Sequence, residues 1–307
     1  MANSLSLGER PVASPSSVEV PAYAPAAPPL RVGGIAFGNG VLMRSKHAWA
    51  WARSDGTVLH GPVFSLLERS RWLRLPLVRS LVALVEMLAF AIRLQRRNGV
   101  GPNLRLLGWL ALWVFASSWL SSLASAFIAN TLLADVVSQV MSIVLGLLAL
   151  QPGMGAEIWR YHGAEHKAVN AYEAGADLAD LKTVATYSRI HNRCGSNLVA
   201  ILLVLSLAYL PLSQRLPGGA FSALYSLCAI ALAFELFRLV TRRPQLPICR
   251  IVLCPGKALQ RCLTTREPQR EQLKVACRAL RRAVALEDQG HAALGLAPNG
   301  ADSLPEG

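Results

Sequence analysis

Charge is scarce in this chain. Asp, Glu, Lys and Arg make up 16% of its 307 residues against 53% hydrophobic, whereas soluble domains carry about 25% charge. So little charge argues against a soluble globular protein and for one that meets a bilayer. Acidic residues are scarcer still: 18 Asp and Glu stand against 31 Lys and Arg, a formal net charge of +13. That excess does not make a nucleic-acid binder, because no basic stretch is interleaved with stacking aromatics and no DNA or RNA recognition motif is present. It sits between apolar runs, where it can meet anionic lipid headgroups or follow the positive-inside bias.

Paired CxxC spacing is missing too. The six cysteines, Cys194, Cys228, Cys249, Cys254, Cys262 and Cys277, fall in or beside membrane and cytosolic segments, which argues against a disulfide framework or a zinc ribbon. Residues 1–30 lack an apolar core of signal-peptide length and read as a disordered tail, as do residues 286–307. Gly33, Gly34, Gly38 and Gly40 in GGIAFGNG do not fit a dinucleotide fingerprint.

What is present is long apolar runs. A spanning helix needs about 20 mostly apolar residues, and four runs supply them: Leu106 to Phe127, Leu132 to Leu150, Leu198 to Leu216 and Ala220 to Val240. They form two pairs with short connections, so each pair is expected to be a helical hairpin that enters and leaves on one face. The basic residues, among them Arg96, Arg97, Arg189 and Arg193, gather on that face, while the outer connections hold only Arg215. This bias predicts a cytoplasmic location for the polar segments of a bacterial inner (plasma) membrane protein. A fifth apolar stretch carries Arg79, Glu86 and Arg93 at seven-residue intervals, one stripe of a helix with basic flanks. It predicts an amphipathic helix in the interface and no further span.

Residues 31–66 predict a small cytosolic β element. Trp49, Trp51 and Arg53 alternate before Ser54, Asp55 and Gly56, a turn signature in which Gly56 supplies positive φ. Residues 67–285 form a helical membrane domain that closes in a cytosolic helix. There Thr264 and Glu267 stand at capping-box spacing, and Leu273, Ala276, Leu280 and Val284 share one face.

Chemistry concentrates in residues 160–197. In YHGAEHKAVNAYEAG, His162 and His166 are four apart, the spacing with which one helix face presents two imidazoles to a zinc ion. HGAEH also fits the inverted H-x-x-E-H pattern, whose Glu activates water. Glu165 and Glu173 are the candidate proton-handling carboxylates. In SRIHNRCGSN, His191 and Cys194 are two further candidate ligands, and four ligands would close a structural site while three would leave a catalytic position open. Cys194 at a helix N-terminus beside Arg193 also suggests a nucleophile of lowered pKa.

These motifs resemble the YqhQ family of bacterial membrane proteins, catalogued as predicted metal-dependent enzymes. The similarity covers most of residues 32 to 285, through GGIAFGNGVLMR, YHGAEHKAVNAYEAG, SRIHNRCGSN and LTTREP in that order. Asn39 stands where the family pattern has Glu and Asn192 where it has Pro, so a ligand or base that the family carries at the first position has no counterpart here.

The expectation is therefore an all-α membrane protein with two transmembrane hairpins, an amphipathic interfacial helix and a small cytosolic β element. Its expected function is a zinc-dependent hydrolase at the membrane face. The alternative is a non-catalytic scaffold clamped by a His/Cys cluster. A transporter is a third reading, resting on Glu86 and Glu235 in apolar segments, although Glu235 has Arg238 one turn later as its expected partner.

Overall fold

The computed structural model describes residues 30–63, 65–97, 104–213, 215–216 and 219–293. The expected tails over 1–29 and 294–307 lie outside these residues. Four helices are long and apolar enough to cross a membrane: α2 (Leu104–Phe127), α3 (Thr131–Met154), α6 (Gly195–Ser213) and α7 (Gly219–Arg242). They coincide with the four apolar runs, and two further helices are α5 (Leu181–Thr186) and α8 (Pro247–Leu259). Asn130 caps α3, its side-chain oxygen accepting from the Leu133 amide at 2.9 Å, which satisfies one of the amides that a helix start leaves without a partner. Packing joins α2 to α3 and α6 to α7. Trp113 donates its indole N–H to the Ser142 carbonyl at 2.8 Å, so this tryptophan serves helix packing.

Apart from the four apolar helices stands a four-stranded antiparallel meander in sequence order, β1 (Gly33–Phe37), β2 (Gly40–Arg44), β3 (Ala48–Arg53) and β4 (Val58–Pro62). The expected β3–β4 turn is present with Gly56 at φ 92°. Because strand side chains alternate between faces, the sheet is covered on both sides. Val41, Met43, Ala50 and Ala52 pack with Tyr161, Ala164 and Ala168 of α4 (Ala156–Glu173) and with Leu273, Ala276 and Leu280 of α9 (Arg270–Ala293). Leu42 and Trp51 face the other way, against Leu94 and Phe90 of α1 (Val78–Arg97).

Helix α1 is not among the helices apolar enough to span. One end reaches the sheet and the other reaches α7, where Arg79 Nε donates to Glu235 at 2.8 Å and Ser80 Oγ donates to the same carboxylate at 2.7 Å. Glu235 thus pairs across the bundle with Arg79, and Arg238 is not its ion-pair partner. A charge on α1 that meets α7 outcompetes the i,i+3 pair within α7. Glu86 accepts from Ser65 Oγ at 3.0 Å and from the Leu66 amide.

Two expectations about α9 need correction. Thr264 and Glu267 form no capping box, because residues 265–269 are not helical and the helix starts at Arg270, where the Gln272 side chain accepts from the Gln269 amide at 2.7 Å. The helix also continues past 285 to Ala293. Glu287, with its side chain wholly buried, ties this extension to the β2–β3 connection by accepting from Ser45 Oγ at 2.7 Å and the His47 amide at 2.9 Å.

Candidate metal centre

The site lies where α3 and α6 meet α4 and the elements packed on it. Helix α3 passes through Gly155 (φ 83°) directly into α4, and α6 starts at Gly195, one residue after Cys194. Polar side chains on α4 pin the segment between α4 and α6. Lys167 Nζ donates to the Ala185 carbonyl at 2.6 Å, His166 Nδ1 to that of Arg189 at 2.7 Å, and Asn170 Nδ2 to those of Ser188 at 2.7 Å and Ile190 at 3.1 Å. A second strap is LTTREP. There His162 Nδ1 donates to the Thr264 carbonyl at 2.6 Å, the Arg266 amide donates to the Trp159 carbonyl at 2.9 Å, and Lys167 also pairs with Glu267 at 2.6 Å.

Gly163 is a weak helix former inside α4, and the strap explains it. A Cβ there would overlap the Arg266 carbonyl oxygen, so only glycine lets the strap cross the helix this closely. Gly34 plays the same part on β1, where a Cβ would sit 2.7 Å from the Glu165 carboxyl carbon. The N-terminal motif thus reaches the cluster through a missing side chain, while Asn39 meets Ser54 through its backbone carbonyl.

Three of the expected ligands converge. One donor atom each from His162, His166 and Cys194 lie within 4.8 Å of one another, and Cys194 Sγ is 3.4 Å from His162 Nε2. A carbonyl oxygen only accepts, so the bonds to Thr264 and Arg189 place a proton on each Nδ1 and leave each Nε2 as the lone-pair atom. Metal-ligating histidines carry this outer arrangement. Burial also pulls both imidazoles below their usual pKa, His166 well below and further through its neighbours His162 and His191. Both rings are therefore neutral at physiological pH, the form a metal requires.

His191 stands outside this group. Its ring centroid is 5.7 Å from that of His166, and its Nε2 faces Glu173 Oε2 at 3.5 Å. Arg193 pairs with the same carboxylate. Burial pushes the Glu173 carboxyl up, but hydrogen bonds from His191 and Arg193 outweigh it and hold the group down at about 2. Glu165 has the opposite environment: it is 7% exposed, burial pushes its carboxyl up to about 8, and only the Gly34 amide draws it down. Of the two expected carboxylates, one is a locked ion-pair partner and the other is poised near neutrality.

Cys194 carries no mark of an activated nucleophile. Burial pushes its thiol up to about 11 despite hydrogen bonds with Ser196, because an isolated thiolate has no compensating charge there. Ser196 Oγ and Thr264 Oγ1, 3.3 Å apart, complete the polar wall. Neither was readable from the sequence, since their roles come from a contact between residues 68 apart.

A family described as a protein of unknown function, DUF1385, matches residues 102–286. The uncharacterized protein YqhQ of Bacillus subtilis (strain 168) is 26% identical over 311 residues, covering 84% of this chain and 94% of the relative. No solved structure matches. The two motifs that build the cluster and the strap that anchors it all fall within the matched region, and the chain belongs to the DUF1385 family, which YqhQ represents.

Proposed function

We propose that this chain is a bacterial inner (plasma) membrane protein with a zinc centre on its cytoplasmic face, and that it works as a metal-dependent hydrolase. The observation that carries the reading is the convergence of His162, His166 and Cys194 within 4.8 Å, with both Nδ1 atoms already committed to backbone carbonyls. Three protein ligands leave one coordination position open, as catalytic zinc sites do. Bound there, zinc supplies Lewis acidity. The chain supplies the rest. The Thr264 and Arg189 carbonyls orient the imidazoles, and Glu165, poised near neutrality, takes and returns the proton. The Arg193–Glu173 pair holds the 191–194 loop against the end of α4. A charge balance also favours the site: a divalent cation offsets the carboxylate of Glu165 and the thiolate of Cys194, both of which burial alone suppresses.

The burial of His166 and Glu165, 2% and 7% exposed, favours a second reading, a metal clamp that joins the hairpins without chemistry. Metal analysis of the detergent-purified protein under reducing, chelator-free conditions tests what the two share. One zinc per chain is expected, and cobalt substitution should give a thiolate-to-metal charge-transfer band that Cys194→Ser abolishes. Wild-type protein without stoichiometric metal, and a His166→Ala variant that melts at the wild-type temperature, would sink both. Complementation separates them: Glu165→Gln keeps its metal in either case, silences a hydrolase and spares a clamp.

A further inference from the structure

A second feature lies on the opposite face of the sheet, away from the metal centre and independent of any reading of it. Between β3, β4 and α1 is a cavity of about 580 Å³. Its walls are apolar, with Trp49 and Leu59 from the sheet and Ala89 and Phe90 from the helix. Three arginines line it as well: Arg44, Arg69 and Arg93. None of the three guanidinium groups donates a hydrogen bond to a described residue or forms a close ion pair with one, although the Glu86 carboxylate acts on Arg44 through space. Arg44 is half-buried and lies over the Phe90 ring, 5.8 Å from its centroid. Glu86 is the one carboxylate among the lining residues, and it already accepts from Ser65 Oγ and the Leu66 amide.

Arg69 and Arg93 are exposed and Arg44 is half-buried, so the three set positive charge beside an apolar wall, and the guanidinium fork matches phosphate oxygens in pairs. An anion alone does not account for the wall. Helix α1 is tied to the spanning helix α7 through Arg79 and Glu235, and it leaves Val85, Leu88 and Ile92 more than half exposed. Val85 also lines the cavity. The cavity therefore opens along an apolar helix face that is anchored to the membrane bundle, the setting of an interfacial helix. We propose that it holds one anionic phospholipid, its phosphate on Arg44, Arg69 and Arg93 and an acyl chain against Ala89 and Phe90.

Trp49 in the wall makes the test direct. Full-length protein in detergent is titrated with phosphatidylglycerol or phosphatidylcholine brominated on the acyl chains, and the quenching lost in Trp49→Phe is taken as the cavity signal. Saturable quenching by the phosphatidylglycerol and not by the phosphatidylcholine is expected. Each Arg→Gln change at 44, 69 or 93 should weaken it about tenfold, the worth of one charge-assisted contact. Ala89→Phe keeps all three charges and fills the wall, so it should abolish the signal even if the arginine variants fail to fold. Equal quenching by both lipids would overturn the proposal, as would a signal that survives Ala89→Phe. Displacement by soluble glycerol phosphate at matched concentration would replace the lipid with a free phosphate ligand and overturn it too.

Discussion

Replacing Gly163 by Ala sets two effects of opposite sign against each other. In an ordinary helix interior the change stabilises by about 1 kcal/mol, because glycine is the poorer helix former. Here the new methyl overlaps the Arg266 carbonyl oxygen, a backbone atom that cannot swing aside as a side-chain end can. Relief requires the strap to lift. Overpacking of this kind costs about 1 to 3 kcal/mol, and lifting weakens the bond from the Arg266 amide to Trp159 and the Thr264 carbonyl that holds His162, at about 1 kcal/mol each. The loss exceeds the gain, so a net destabilisation of about 2 kcal/mol is expected, a melting temperature lower by roughly 5 °C for a chain of this size. A metal-holding His162 would also lose its orienting carbonyl, which lowers metal affinity about 10- to 100-fold. Thermal melts of detergent-purified wild type and Gly163→Ala, followed by competition for zinc with a chromophoric chelator, give both numbers. A variant that melts higher than wild type would refute the reasoning, since propensity would then have won and the strap would not bear on the helix.

Chelator-treated protein should show the signature of Glu165 in its stability. The buried carboxyl keeps its proton up to about 8, whereas its ordinary value is 4.5, so the native state binds more protons across that interval and stability falls as pH rises through it. Denaturant melts at about pH 5 and about pH 8.5 should differ in wild type, and Glu165→Gln should remove most of the difference; an unchanged difference would assign it to other groups. Reporter fusions at Arg69 and Gly99 should report the same compartment, because α1 carries charge along its length and is not among the helices apolar enough to span; opposite compartments would require a fifth span.

The spans were readable because an apolar run needs no partner to declare itself, and the Asp55-Gly56 turn because glycine at positive φ is a local demand. His162 and His166 were readable for the same reason, one helix fixing their relation by spacing alone. Beyond that the sequence is silent on partners. The Thr264 carbonyl that orients His162 stands 102 residues away and is a backbone atom, which no residue type announces. The Arg79–Glu235 pair spans 156 residues, and the nearer Arg238 was the more obvious choice. Thr264 and Glu267 matched a local capping pattern, yet their backbone and side-chain groups went to the strap, a tertiary demand that outweighed the local one. Gly34 is the hardest case, since its contribution is the space it leaves for Glu165.

The origins of the cluster set the order in which it can be made. Gly34, His166, Cys194 and Thr264 come from the start, middle and end of the chain, and the four long apolar helices lie between them. On a chain leaving the ribosome from its N-terminus, α4 and Cys194 emerge before α6 and α7, and the strap that orients His162 follows only after them. Contacts this distant form late. The cluster is therefore a record of completed assembly: any chain that holds His162, Cys194 and Thr264 together has already brought the segments before and after α6 and α7 against one another.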